Sequence, residues 1–125
     1  MLKKTHLLIA LVLILIKTAP IQASENKRFL FVISAHEYGY FLPELVTPLR
    51  ILNDANIKVD IASPSGNEGR AAASNRLSRK DNQYFKSIKK KLSTPIALAN
   101  VNTDLYEGVY IVGGSGPMMD LYDHS

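Results

Sequence analysis

No cysteine occurs anywhere in the 125 residues. That absence excludes disulfides, a cysteine zinc site and a thiol nucleophile supplied by this chain. Charge of one sign is also scarce. The 15 basic and 11 acidic residues give +4, but Lys3, Lys4 and Lys17 fall within an apolar leader. Twelve basic residues against eleven acidic ones remain, a balance of +1. The pI of 9.4 is therefore a poor argument for nucleic acid, and no nucleic-acid partner is expected. The G-x-G-x-x-G spacing of a dinucleotide fold is missing, and no cofactor is expected. Long apolar runs are missing too. The longest, residues 7–16, has ten residues. As a helix it would span about 15 Å, half of a ~30 Å hydrocarbon core, so no stable membrane anchor is expected. No repeat or low-complexity segment interrupts the chain.

What is present begins with that leader. A basic start (Lys3, Lys4), the apolar run, a helix-breaking Pro20 and a small Ala23 follow the order of a secretory signal peptide over residues 1–23. No cysteine is available for lipidation, so the mature product is expected to be soluble, in the periplasm or outside the cell. Its intact mass should correspond to a chain beginning at Ser24; a product that retains residues 7–16 would overturn this assignment. Residues 24–125 hold 43 hydrophobic residues among 102, which suits one globular α/β domain rather than a disordered tail.

Hydrophobic periodicity divides that domain. Residues 28–34 form a continuous β-prone run, long enough for a strand buried on both faces. From Phe41 to Ala55, Leu42, Leu45, Leu49 and Leu52 recur at helical spacing. Pro48 either kinks this helix or restarts it with Thr47 as N-cap. Residues 57–62 alternate as a second strand, and residues 63–78 read as a long loop. Asp81 to Leu92 forms a second helix, with Lys89, Lys90 and Lys91 as its solvated end. Residues 96–99 are a short apolar stretch, and residues 107–112 are the third clear strand. The alternation predicts a parallel, doubly wound sheet, with loops 35–44, 63–70 and 113–117 gathered at the carboxyl rim where such sheets bind ligands.

Three motifs on that rim, Gly39-Tyr-Phe-Leu-Pro-Glu44, Asp60-Ile-Ala-Ser-Pro64 and Val109-Tyr-Ile-Val-Gly-Gly-Ser-Gly-Pro-Met-Met-Asp120, resemble the ThiJ/PfpI family. The nearest subclass is that of heat-shock chaperones and glutathione-independent glyoxalases, within the class I glutamine amidotransferase-like superfamily. The resemblance runs from about Arg28 to the last residue and implies a flavodoxin-like parallel α/β sandwich, here truncated after the third clear strand. It implies chemistry on a small reactive carbonyl, methylglyoxal to lactate through a thiohemiacetal, or related amide-type chemistry. Glu44 matches the family's catalytic glutamate, expected to be buried beside a thiolate and held toward its neutral form. Gly113, Gly114, Ser115 and Gly116 match the loop whose N–H groups face the reacting oxygen. The family's cysteine and histidine find no position here, so this chain alone is expected to be inactive. The protein partner expected is a second copy or a separately encoded carboxyl-terminal half.

Other readings stand beside this one. Glu44 also suits a helix first turn without any catalysis, and the glycine loop also suits a plain strand-ending turn. His36 and Glu37 adjoin at a strand end, but no third ligand can be named and no metal is expected. His124 lies next to the terminus. Ser34, Ser63 and Ser115 could act as nucleophiles only with a positioned base, for which His36 is the sole candidate. A non-enzymatic holdase or interaction module, built on uncovered apolar faces, is the alternative function.

Overall fold

The computed structural model describes residues 28–122; the expected signal peptide (residues 1–23) and His124 lie outside the described residues. Its sheet is parallel throughout. Strand β1 (Arg28–Val32) lies at the centre, paired with β3 (Lys58–Ser63) from Arg28↔Lys58 to Val32↔Ala62. On its other side β6 (Gly108–Ile111) pairs from Phe29↔Gly108 to Val32↔Ile111. The apolar stretch at 96–99 supplies a fourth strand, β5 (Ile96–Ala97), beside Ala62 and Ser63. The order is therefore β5-β3-β1-β6, a flavodoxin-like parallel α/β fold. The sheet thus has four strands where the apolar runs predict three; two residues are too few to produce a periodic signal.

Two helices follow the predicted pattern. Helix α1 spans Leu42–Asp54 and buries Leu42, Leu45, Val46 and Leu49. It continues through Pro48, so there is no restart at Thr47. The Thr47 hydroxyl donates instead to Asp81 Oδ2, at 3.1 Å. Helix α2 spans Arg79–Leu92 and is capped by Ser78, whose Oγ accepts the Asp81 N–H at 3.1 Å. Both helices pack on one face of the sheet, as the usual right-handed crossovers from β1 to β3 and from β3 to β5, running in one direction, require. There Phe31, Ile33, Val59 and Ile61 of the sheet pack with Leu45, Leu49 and Leu92. The opposite face, Leu30, Val32 and Ala62, is covered more thinly, by Ile96, Val101, Tyr106 and Leu121.

The stretch 63–78 is more ordered than a loop. It contains β4 (Ala71–Ala72), parallel to β2 (Tyr40–Phe41), and a 3₁₀ turn at Ser74–Arg76. Nor is the lysine run simply solvated: Lys91 Nζ donates to Val59 O on the edge of β3, and burial of its ammonium pulls its pKa down. The chain reaches β3 and β5 on one side of β1, then returns to place β6 on the other. The strand order reverses between β1 and β6, and the crevice outside the carboxyl ends of those two strands is where open α/β sheets bind ligands.

Candidate functional site

Two loops meet at that reversal. The loop after β1 runs through Ser34, Ala35 and His36 to Gly39, and the loop after β6 runs from Val112 to Gly116. Main-chain bonds bind them together: Phe41 N–H donates to Gly113 O at 2.7 Å, and Gly116 N–H donates to Gly39 O at 2.8 Å. A short helix, α3 (Pro117–Asp120), follows the glycines, and Asp120 Oδ2 accepts the Ala35 N–H at 2.7 Å. The arrangement fixes the loop after β1 from both ends.

Glu44 stands in the first turn of α1 and reaches across this junction. Its Oε2 accepts the Gly113 N–H at 3.0 Å, although 69 residues separate the two in sequence. The glutamate and the glycine loop are therefore brought together, as the motif order implies. Two details depart from expectation. Glu44 is exposed, where the resemblance implies burial beside a thiolate. The Gly113 N–H, expected to face a reacting oxygen, is already given to the Glu44 carboxylate. Gly114 and Ser115 are exposed, and among the described residues their amides are given to no acceptor, so these two are the donors open to a ligand.

Close approach explains the glycines. A Cβ at Gly113 would collide with Glu44 Oε2, and one at Gly116 would collide with Ser34 Oγ and Gly39 O. Gly116→Ala is therefore expected to lower stability by about 2 kcal/mol through overpacking. Urea unfolding read by circular dichroism measures this, and an unchanged midpoint would contradict the packing.

The remaining candidates sort by accessibility. Ser34 is fully buried and accepts the His36 N–H at 3.0 Å; Ser63 is fully buried and donates to Asn67 O at 2.8 Å. Both hydroxyls hold loops and neither can attack a ligand. His36 Nδ1 accepts the Tyr38 N–H at 3.2 Å, with the Tyr38 ring edge-on to the imidazole at 4.7 Å between centroids. That nitrogen is thereby engaged in a local turn. Among the described residues no group of three or more His, Cys, Asp or Glu side chains comes together to hold a metal.

Tyr110 also stands beside the site; it lies inside the third motif, which assigns it no role. It stands on β6 facing the α1 side, its ring 4.7 Å from that of Phe31. Burial raises its phenol pKa, and the nearby charge of Glu44 raises it further, so the hydroxyl keeps its proton. Asp120 is likewise visible in sequence only as the end of a motif. Strand alternation can place Tyr110 on the α1 side, but only the parallel register brings it near Glu44.

A large cavity lies elsewhere. It occupies about 490 Å³ at the amino end of the sheet, lined by Arg28, Asn53, Asp60, Tyr84 and Lys91 among others. Asp60 Oδ2 there accepts from Arg28 Nη1 at 2.7 Å and from the Tyr106 hydroxyl at 2.9 Å. These bonds join β1, β3 and the segment leading to β6 at the end of the sheet opposite the ligand crevice.

No protein-family model and no curated protein matches the chain. Solved structures do. The chain is similar to the Rapid Encystment Protein 24 KDa (REP24) of Francisella tularensis, with a TM-score of 0.68 and 24% identity. The match covers 79% of this chain and 49% of REP24. A second similar structure, APC35852, gives a TM-score of 0.63 and 20% identity over 80% of this chain and 48% of its own. Likeness at these identities establishes the fold. The chain spans about half the length of each neighbour.

Proposed function

We propose that this chain carries the acid–base and main-chain-donor half of a site for small reactive carbonyls, of the kind its ThiJ/PfpI-like motifs suggest. The observation that carries the reading is the Glu44 carboxylate held at 3.0 Å on the Gly113 N–H, at the point where the strand order reverses. Beside it, the Gly114 and Ser115 amides offer fixed donors to an aldehyde oxygen, or to the enediolate that forms when a neighbouring carbon loses its proton. A carboxylate one turn into a helix and next to such donors can carry that proton between adjacent carbons. The Tyr110 phenol, still protonated, adds a neutral polar group beside Glu44. A thiolate nucleophile would have to come from outside these 125 residues, which hold no cysteine. On this reading the protein is exported and works on carbonyls outside the cytoplasm.

A hydroxamate analogue of an enediolate tests the site without reacting with it. Titrated into the ¹⁵N-labelled full chain, it is expected to shift the amide resonances of Gly114 and Ser115 most. Glu44→Gln is expected to alter the Gly113 resonance and weaken binding. Shifts confined to the amino-end cavity around Arg28 and Lys91 would contradict the proposal.

A further inference from the structure

One polar group in the core has nothing to bond. Tyr40, in the two-residue strand β2, is 2% exposed and belongs to the same apolar cluster as Leu92. Its N–H donates to Arg70 O at 3.0 Å, but among the described residues no group pairs with its hydroxyl. Burial, and then the charge of Glu68, pushes the phenol pKa up to about 12, so the hydroxyl keeps its proton and is a donor. Buried polar groups nearly always have a partner, and a phenol without one implies a bound molecule. Tyr40 lines a cavity of about 210 Å³ between the β2–β4 pair and helix α2. Ala71, Phe85 and Leu92 give this cavity an apolar wall, and Glu68 and Lys89 give it one charge of each sign. Both charged side chains are exposed, and among the described residues neither is paired with the other or with any other charge. Lys89 Nζ lies over the Phe85 ring instead, 5.6 Å from its centroid.

We infer that this cavity binds a small zwitterion, an α-amino acid with a short apolar side chain. The ligand's ammonium faces Glu68, its carboxylate accepts from the Tyr40 hydroxyl on the side of Lys89, and its side chain covers Ala71, Phe85 and Leu92. Other classes of ligand each leave a group unmet. A plain anion is repelled by Glu68, whose charge already acts on the phenol. A plain cation is repelled by Lys89 and gives the phenol proton no acceptor. A neutral molecule can accept from Tyr40 but leaves both charges unused. An apolar wall with a few placed polar groups is the usual make-up of a small-molecule site. The volume lies below the ~300 Å³ at which sites for drug-sized ligands begin, so the ligand is small. None of these residues takes part in the bond between Glu44 and Gly113, and the inference stands if the carbonyl reading fails.

The probe is L-valine, titrated into the ¹⁵N-labelled full chain, and the amide resonances of Gly69 and Ala71 are expected to shift. Two analogues separate the charges: 3-methylbutanoate lacks the ammonium and isobutylamine lacks the carboxylate. Each is expected to bind about tenfold more weakly than valine. Tyr40→Phe removes only the hydroxyl, and it should weaken valine binding by about tenfold, the usual effect of losing one hydrogen bond to a charged group. The same variant should leave the urea midpoint unchanged or raised, because the oxygen it removes has no partner in the described structure. Glu68→Gln and Lys89→Met, both at exposed positions, should weaken binding and preserve the circular dichroism. No shift at the Gly69 and Ala71 amides, or equal binding of valine and either analogue, overturns the inference. So does valine binding that Tyr40→Phe leaves intact, which identifies a cavity filled by water only. A lowered urea midpoint in Tyr40→Phe overturns it as well, since the hydroxyl would then be holding the fold.

Discussion

The purified full chain is expected to release no lactate from methylglyoxal above the uncatalysed rate. The chemistry suggested for the site begins with attack of a thiolate on the aldehyde, and none of the 125 residues is a cysteine. What remains is the Glu44 carboxylate, the open amides of Gly114 and Ser115, and the Tyr110 phenol. Positioned donors alone leave a residual acceleration when a nucleophile is removed, of about 10³ over water in the best-studied acyl-transfer site. For this chain even that figure is an upper bound, because Glu44 is exposed and water competes for the same donors. Lactate must be the species measured. The 15 lysines and arginines consume methylglyoxal stoichiometrically, so its disappearance alone would mislead. Rapid lactate release that Glu44→Gln abolishes would reveal a cysteine-independent mechanism and overturn the division of the site proposed above.

The second large effect concerns stability and centres on Asp81. This carboxylate is buried between the two helices, where Oδ1 accepts from Arg50 Nε at 2.7 Å. Its Oδ2 accepts from the Ser78 hydroxyl at 2.8 Å and the Thr47 hydroxyl at 3.1 Å. The same residue gives its N–H to the Ser78 cap, so α2 is started and docked on α1 by one side chain. Asp81→Ala leaves Arg50 without its buried partner and is expected to cost about 3 kcal/mol, a large share of the stability of a domain this size.

The pH dependence has a definite direction. The bond from Arg50, with those from Ser78 and Thr47, holds the Asp81 carboxyl below its ordinary value of 3.8. The folded state therefore binds fewer protons than the unfolded state in this range. The contribution is fully present above the unfolded value and is lost as pH falls through the lowered one. Urea midpoints measured between neutral pH and pH 3 should fall in the wild type. They should fall less in Asp81→Asn, which is less stable at neutral pH but has no proton to gain. Parallel curves for the two proteins would remove Asp81 from the acid transition.

Local pattern was sufficient for the elements that bury a whole face. The run at 28–34, the alternation at 57–62 and the leucine spacing from Leu42 to Leu52 each commit many side chains to one environment, so strand and helix were legible within a residue or two. Their order implied parallel pairing and a carboxyl rim, because a helix between two strands leaves room for little else. The pairs β2–β4 and β3–β5 were not legible. Each contributes two residues per strand and exists only because larger elements hold the chains side by side. The motifs placed Glu44 and residues 113–116 on one rim, but which atoms meet there is a matter of register. A contact across 69 residues, with the carboxylate taking the very N–H expected to face a ligand, depends on how β1 and β6 align. The same alignment brings Tyr110 near Glu44 and sets Asp120 beneath Ala35. Burial was undecidable from pattern for a further reason. A carboxylate in a helix first turn is stabilised by the helix dipole whether it faces core or solvent, and only the packing around α1 left Glu44 in the open.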